Sequence, residues 1–555
     1  MKYGGLTDVH NKMDGDSEEG EELASNMVII GVSMLLLALV TIAVFANLSG
    51  GTKEERNFKS VSTICAKTES PETCIHILKN IGERASALDY INAAINATLE
   101  ELMIVNIPKP DSEIFLTALQ TESYRDCLEL LNMGKDELEH LQMMANSSME
   151  SEEIINSLSA IVSYQQTCSN ELLKTNNFDI LGYSLKLPIV LTRITLAIVD
   201  NFFEKPVFEE GFKKMLTRSN LQAMEVDHES KRITVAPDGR GHFRTITESL
   251  NACARNKECS CVIYVMKGVY EERVVIPKSL EHVFMYGDGP TQTIVTGINT
   301  RGPKIVTTPF RSASFVVKGK GFICKDMGFT APAHIAGAPA LVVFCDHAAF
   351  FNCKIDGKEG SLYAVAHRQF YGNCEIHGSV DIIKGDSATI IQNSRIIVKR
   401  QNSSIVPRKK VVSVQSRIDK HESTGFVIQN CTIIAEECET DDNNNSLVGS
   451  TCLGIPCNEY SRTVVLESFL GDVIRPRGWC KWSDNYGVDT SSFIEYDNRG
   501  IGAKTGRRVH WESYRKVSQN QKSEMMKFTA DEFIQADKWL KNTGIPYESG
   551  LFFHK

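Results

Sequence analysis

From about Asn57 to Glu204 apolar residues return every three or four positions, as in DCLELLNMGKDELEHLQMM and EEIINSLSAIVSYQQ, and glycine is almost absent. That spacing predicts a small bundle of amphipathic helices. Beyond the polar stretch HESKRITVAPDGRGHF the pattern changes to short β-rich runs, CVIYVM, HVFMYG, TIVTG and SFVVKG, punctuated by Gly and Asn. A phrase recurs there: Asn352-Cys-Lys-Ile, Asn373-Cys-Glu-Ile, Asn393-Ser-Arg-Ile and Asn430-Cys-Thr-Ile, the first three starting 21 and 20 residues apart. Like residues returning at that interval predict a solenoid, a right-handed parallel β-helix in which each coil sets the same residue types over the one before. An antiparallel sandwich is the alternative, and its hairpins leave the interval unexplained. Near the end of the chain, Thr529-Ala-Asp-Glu532 predicts a capped helix over FIQADKWL.

One apolar stretch obeys neither period. No charged residue falls between Glu22 and Lys53, and residues 27–48 are long enough to cross a hydrocarbon core of about 30 Å as a helix. The expectation is an acidic tail over 1–26 followed by a transmembrane or signal-anchor helix; a cleaved signal peptide is the competing reading. Lys and Arg are balanced on its two sides and leave orientation open.

Composition narrows the class. The 555 residues, 42% hydrophobic and 23% charged, have room for two or three domains with cores. A net charge of -9 argues against a nucleic-acid partner. All sixteen cysteines lie beyond the apolar run, as do sequons at Asn96, Asn146, Asn402, Asn430 and Asn444, which places the body in an oxidising, glycosylating compartment of the secretory pathway. Cys65 and Cys74 are close enough to close a local loop, leaving Cys127 and Cys168 to tie two helices, although spacing alone leaves the connectivity open. Cys353 and Cys374 hold equivalent places in the recurring phrase, where they can stack as thiols. No zinc-like CxxC spacing recurs, and no metal or organic cofactor is indicated.

The residues that follow carry a more specific signal. VAPDGRGHFRTI, YVMKGVYEERVVI, MYGDGPTQTIVTG, RQFYGNCEIHGSVDIIKG, STGFVIQNCTI, EYSRTVVLESFLGDVI and FIQADKWLKNTGIPY resemble the plant pectin methylesterases, and the four-cysteine helical segment with SLSAIVSYQQTC resembles their N-terminal inhibitor domain. The resemblance implies an inhibitor-like four-helix bundle over 57–205, a linker over 206–231 and a pectinesterase-like β-helix with a C-terminal helix over 232–555. It implies pectin, methylesterified homogalacturonan, as the substrate. Other pectin methylesterases are possible partners through the bundle, and the implied location is the cell wall, secreted or membrane-anchored.

The chemistry it implies is methyl-ester hydrolysis through an acyl-enzyme. One Asp attacks the carbonyl, a second protonates departing methanol and then activates water, two Gln side chains hold the oxyanion, and an Arg positions the nucleophile. Such a division needs one ionised and one protonated carboxyl side by side. Asp381, opening DIIKG, matches the nucleophile of the family's DFIFG. The family's QDTL falls on Glu359-Gly360-Ser361-Leu362, so Gly360 replaces the acid/base Asp and Glu359 an oxyanion Gln. The Gln of QAVAL falls on Gly337. In Leu453-Gly454-Ile455-Pro456-Cys457, Ile455 replaces the Arg of LGRPW and Cys457 its substrate-binding Trp.

This set implies a nucleophile without its supporting groups. Losing a general acid removes about 10²- to 10⁴-fold, and losing one oxyanion donor about 10²- to 10³-fold. Glu359 is the candidate substitute acid, although once ionised it repels the oxyanion. Lys384 is a candidate partner for Asp381 and, with Tyr270 and Cys457, a candidate contact to pectin, although Tyr270 is equally read as a residue of the coil core. The basic processing motif common in the family is absent at Leu221-Gln222-Ala223-Met224, which predicts inefficient release of the bundle.

Overall fold

Short strands separated by tight turns make up each coil of the C-terminal two-thirds, and strands pair in parallel with their counterparts in the next coil. The computed structural model describes residues 60–82, 85–105, 117–144, 150–173, 179–203, 232–255, 261–298, 307–332, 335, 337–400, 409–437 and 447–552. The expected anchor at 27–48 and the junction at 206–231 lie outside these. Among the described residues no helix is long and apolar enough to cross a membrane.

Three parallel sheets result, of eleven, seven and eight strands among the described residues. Register stacks like on like. On the eleven-stranded sheet, Phe350, Tyr371, Ile391, Ile428 and Val465 align inward. One position earlier, Ala349, Phe370, Ile390, Val427 and Val464 align on the outer face, under Met525, Phe528, Phe533 and Ile534 of the C-terminal segment. Both faces of this sheet are therefore buried, as parallel sheets require.

The recurring asparagines have a backbone cause. Asn352, Asn373, Asn393 and Asn430 sit at φ 51°, 51°, 54° and 50°, a left-handed turn that asparagine tolerates better than most residues. Their amides also link coils: Asn352 Nδ2 donates to Asp326 Oδ1 at 2.6 Å, and Asn430 Nδ2 to Asn393 Oδ1 at 2.8 Å. The cysteine after the turn points inward. Cys353, Cys374 and Cys431 are buried free thiols, and Cys353 Sγ lies 4.0 Å from that of Cys324, a buried free thiol on the strand Ile323–Lys325. Disulfides join Cys65 to Cys74, Cys127 to Cys168, Cys253 to Cys261 and Cys452 to Cys480.

The N-terminal part is helical: α1 Val61–Cys65, α2 Pro71–Leu78, α3 Ala87–Ile104, α4 Ala118–Met144, α5 Ser151–Leu173 and α6 Asp179–Phe203. The four long helices form the bundle, and α3 starts at a capping box in which Ser86 and Asp89 satisfy each other's backbone N–H. The capped helix expected after Thr529 is instead two short helices, Ala530–Ile534 and Ala536–Trp539, broken at Gln535 in the left-handed conformation. Thr529 makes no side-chain cap; its hydroxyl donates to the Met526 carbonyl. The break lets Gln535 accept a hydrogen bond from Arg368.

The bundle is seated on the seven-stranded sheet. Val275, Val316, Val342 and Tyr363 form an outward ladder, and with Phe310 and Phe344 they join the apolar core of the helices. Ion pairs frame this seam: Arg311 to Asp126 at 2.6 Å, Lys278 to Asp136 at 2.9 Å, and Lys318 to Glu129. Residues 60–555 accordingly form one compact unit.

Arg368 closes the seam. Only 3% of its side chain is exposed, and its guanidinium donates to Asp346 and to both oxygens of Glu153 on α5. Although burial opposes ionisation, Arg368 holds Asp346 well below the usual carboxylate range. Arg368→Ala strands a buried carboxylate and is expected to cost roughly 3–5 kcal/mol in denaturant unfolding; Arg368→Lys should recover only part of it.

Candidate active site

Strand alternation decides which residues reach the surface where the seven-stranded sheet leaves the cover of the bundle core. In Ile383–Gly385, Ile383 points into the coil and Lys384 points out, so the outward ladder continues from Tyr363 to Lys384 and Val414. Lys384 interrupts an otherwise apolar column. Its ammonium lies over the Tyr363 ring, 4.7 Å from the centroid.

A cleft of about 740 Å³ opens here. Gly337, Glu359, Gly360, Asp381, Lys384 and Cys457 all line it. The alignment has a local origin: Glu359 pairs with Val380 across adjacent coils and Gly360 N–H donates to the Val380 carbonyl, which sets Gly360 beside Asp381. Asp381 occupies a left-handed turn, φ 48°, with Ile382 between it and the strand Ile383–Gly385.

The two glycines leave spaces that neighbours have entered. At Gly360, φ 58°, a Cβ atom would stand 2.8 Å from Lys384 Cε and 2.9 Å from Nζ. The ammonium therefore occupies the room a side chain at 360 would need. At Gly337, φ 74°, the nearest atom to an added Cβ is Glu359 Oε2 at 3.7 Å. Around Asp381 the site thus sets the Glu359 carboxyl, the Lys384 ammonium and two glycines, Gly337 and Gly360.

One candidate contact is corrected. Tyr270 is 3% exposed, its hydroxyl donates to the Met266 carbonyl at 2.7 Å, and it belongs to the coil core, away from the cleft. Its aromatic ring fills the first coils, a packing role the motif GVYEE does not distinguish from sugar stacking. Ile455 is 3% exposed and packs with Val411, Val414 and the Cys452–Cys480 disulfide, so it offers the cleft nothing polar.

The sequence reading missed the roof. Leu119 and Ser123 of α4 and Ser163, Gln166, Thr167, Asn170 and Glu171 of α5 close the cleft from the bundle side. Tyr164 and Ser163 on the same helix donate to the carbonyls of Phe344 and Val365, fixing α5 over the sheet. Long-range docking leaves no trace in local periodicity, so only the run of small polar residues in SYQQTCSNE hinted at a polar face. Also missed were Trp482, half exposed at the rim, and Asp386, which lines the cleft at the far end of the Lys384 strand. An acid directly after Lys384-Gly385 was the available signal for the latter.

Comparison with known proteins fits this geometry. The profile described as Pectinesterase matches residues 232–537, more than half the chain. The chain belongs to the pectinesterase family. Within this pectinesterase-family chain, residues 59–198 match the profile of the plant invertase/pectin methylesterase inhibitor. It is similar to probable pectinesterase/pectinesterase inhibitor 13 of Arabidopsis thaliana, at 34% identity over 89% of this chain and 82% of the relative. Putative pectinesterase/pectinesterase inhibitor 28 of the same plant is 31% identical over 97% and 76%. Among solved structures, a pectin methylesterase from carrot is 37% identical, covering 57% of this chain and 98% of that one with a TM-score of 0.53.

The packing of position 455 sets an expectation for an arginine placed there. Ile455→Arg drives a guanidinium into an apolar cluster already bordered by Arg475, whose Nη1 lies 3.2 Å from Cys480 Sγ. A loss of roughly 1–3 kcal/mol in unfolding free energy is expected, with no gain of activity.

Proposed function

We propose that this pectinesterase-family chain serves cell-wall pectin modification as a binder of homogalacturonan, with Asp381 at the nucleophile position and ester turnover greatly reduced. One observation carries the reading: the room beside Asp381 where the family's acid/base carboxyl would stand is filled by the Lys384 ammonium. An ammonium there can attract a uronate carboxylate, whereas Gly360 can neither protonate methanol nor activate water. The family membership and the likeness to a carrot pectin methylesterase support pectin as the ligand.

The bundle enters the same proposal as a cover. Its α4 and α5 side chains roof the cleft, so a polymeric glycan reaches Asp381 only when that roof shifts. The α4–α5 face is committed to this chain's own sheet, which disfavours inhibition of other pectin methylesterases in trans. Glu359 as a substitute acid remains the second reading, favoured by its place in the cleft near the nucleophile position. Four disulfides among the described residues support passage through the secretory pathway, with the 27–48 segment as signal or anchor.

Methanol release from highly methylated pectin tests turnover. The full chain is expected to match its Asp381→Ala variant; release above that background, lost in Glu359→Gln, would establish the slow esterase instead. Gly360→Asp alone should stay at background, because Lys384 pairs with the new carboxylate and keeps it ionised. Gly360→Asp with Lys384→Phe should rise by about 10²-fold over that single variant. Binding is tested separately: Lys384→Glu is expected to weaken retention on demethylated pectin at low salt, and unchanged retention would remove Lys384 from the contact.

A further inference from the structure

A pair of buried carboxyls, Asp386 in the cleft wall and Glu422, which does not line the cleft, has no assigned part in the ester chemistry of Asp381. Asp386 is 4% exposed, and its Oδ1 accepts from Gln415 Nε2 at 2.8 Å and Thr424 Oγ1 at 2.7 Å. Glu422 is 2% exposed, and its Oε1 accepts from the backbone N–H groups of Ile418 and Asp419 at 3.0 and 2.7 Å. Its other oxygen, Oε2, is buried with no hydrogen-bond partner among the described residues. The two carboxyls are electrostatic neighbours in one buried pocket, and Thr424, two residues along from Glu422, is the residue that binds Asp386. Two carboxylates cannot satisfy one another, but a carboxylic acid donating to a carboxylate can. A proton on Glu422 Oε2 turns the orphan oxygen into a donor to Asp386.

Glu422 sits on the segment 416–424, and the bundle grips that segment at two points. Arg193 of α6 donates to Asp419 at 2.9 Å and pairs with Glu69 at 2.6 Å, and Ser159 of α5 accepts from the Ser423 N–H at 3.1 Å. We infer that Asp386 and Glu422 share a proton as a pH-sensitive latch, which holds segment 416–424 in the shape that grips the bundle and loosens when the proton is lost. This rests on the reading of the bundle as the cover of the cleft.

The charges around the pair fit one negative charge, not two. Arg417 and Arg462 face it from its own segment and from the adjoining strand, and Arg193 from α6. Asp419 and Asp200 of α6 add negative charge on the same side. Burial pushes Asp386 up to about 6; burial and then the Asp386 charge push Glu422 well above the usual carboxylate range. Carboxyls with raised pKa in the docked state take up protons on docking. The contribution is complete at pH below the ordinary carboxylate range and is lost as pH rises through about 6 and beyond.

Hydrogen exchange of the full chain between pH 5 and 8.5, corrected for the intrinsic rate, reads the latch directly. Opening of 416–424 and of α5 and α6 is expected to increase with pH, by up to about tenfold per pH unit for one proton. Asp386→Asn with Glu422→Gln replaces the shared proton by an amide donor that does not titrate, and its opening should be flat over the range. Should that double variant fail to fold, Glu422→Gln alone keeps a donor toward Asp386 and should flatten most of the slope. A flat wild-type profile, or a variant that keeps the wild-type slope, overturns the latch. The readout needs neither pectin nor methanol, so its failure is distinguishable from failure of the pectin-binding reading.

Discussion

Over the strands beneath the bundle core the seven-stranded sheet is apolar on both faces, and that constraint organises the molecule. Phe315, Leu341, Leu362 and Ile383 fill the coil interior, while Val275, Val316, Val342 and Tyr363 align outside. At about 25 cal/mol per Å² of apolar surface, leaving such a ladder in water is costly, so the outer face needs a permanent cover. The helical bundle provides it. Its own core and the outer ladder are one continuous cluster, and the ion pairs along α4 set the register that a greasy contact alone would leave free to slide.

The cleft lies where this apolar ladder gives out. Past Tyr363 the outward column meets Lys384, and the bundle's contribution changes from packed aliphatic groups to the polar side chains of α5. The same helix that seals the sheet therefore roofs the site, because one rigid rod spans both regions. Access to Asp381 and the stability of the seam are coupled through α5. Arg368 and Glu153 at the start of that helix, and Arg193 on its neighbour α6, are pins whose energetic weight comes from burial more than from charge alone.

The small and apolar residues at and beside the site belong together. A glycine at 360 leaves room for the Lys384 side chain, and a glycine at 337 leaves room beside the Glu359 carboxylate. An isoleucine at 455 satisfies the apolar pocket around the Cys452–Cys480 disulfide. Each of these residues fits the space or polarity that its neighbour leaves.

Strand and helix periods, the β-helix, the helical bundle and the family were legible in the sequence, because like residues stacking every 20 or 21 positions and apolar residues at three and four spacing are local signals. The alignment of Gly337, Glu359, Gly360 and Asp381 was legible too, since a solenoid converts a fixed interval into spatial neighbourhood. GVYEE gave no sign of whether Tyr270 faces sugar or core, and FIQADKWL concealed the break at Gln535, because in both cases a contact with a distant coil decides. The sequence by itself determined the coil, the bundle and which residues meet beside Asp381. Only the tertiary structure decided that α5 roofs the cleft, that Lys384 fills the room at Gly360 and that Asp386 meets Glu422, because these depend on how outward faces pack across many coils, which no local pattern encodes.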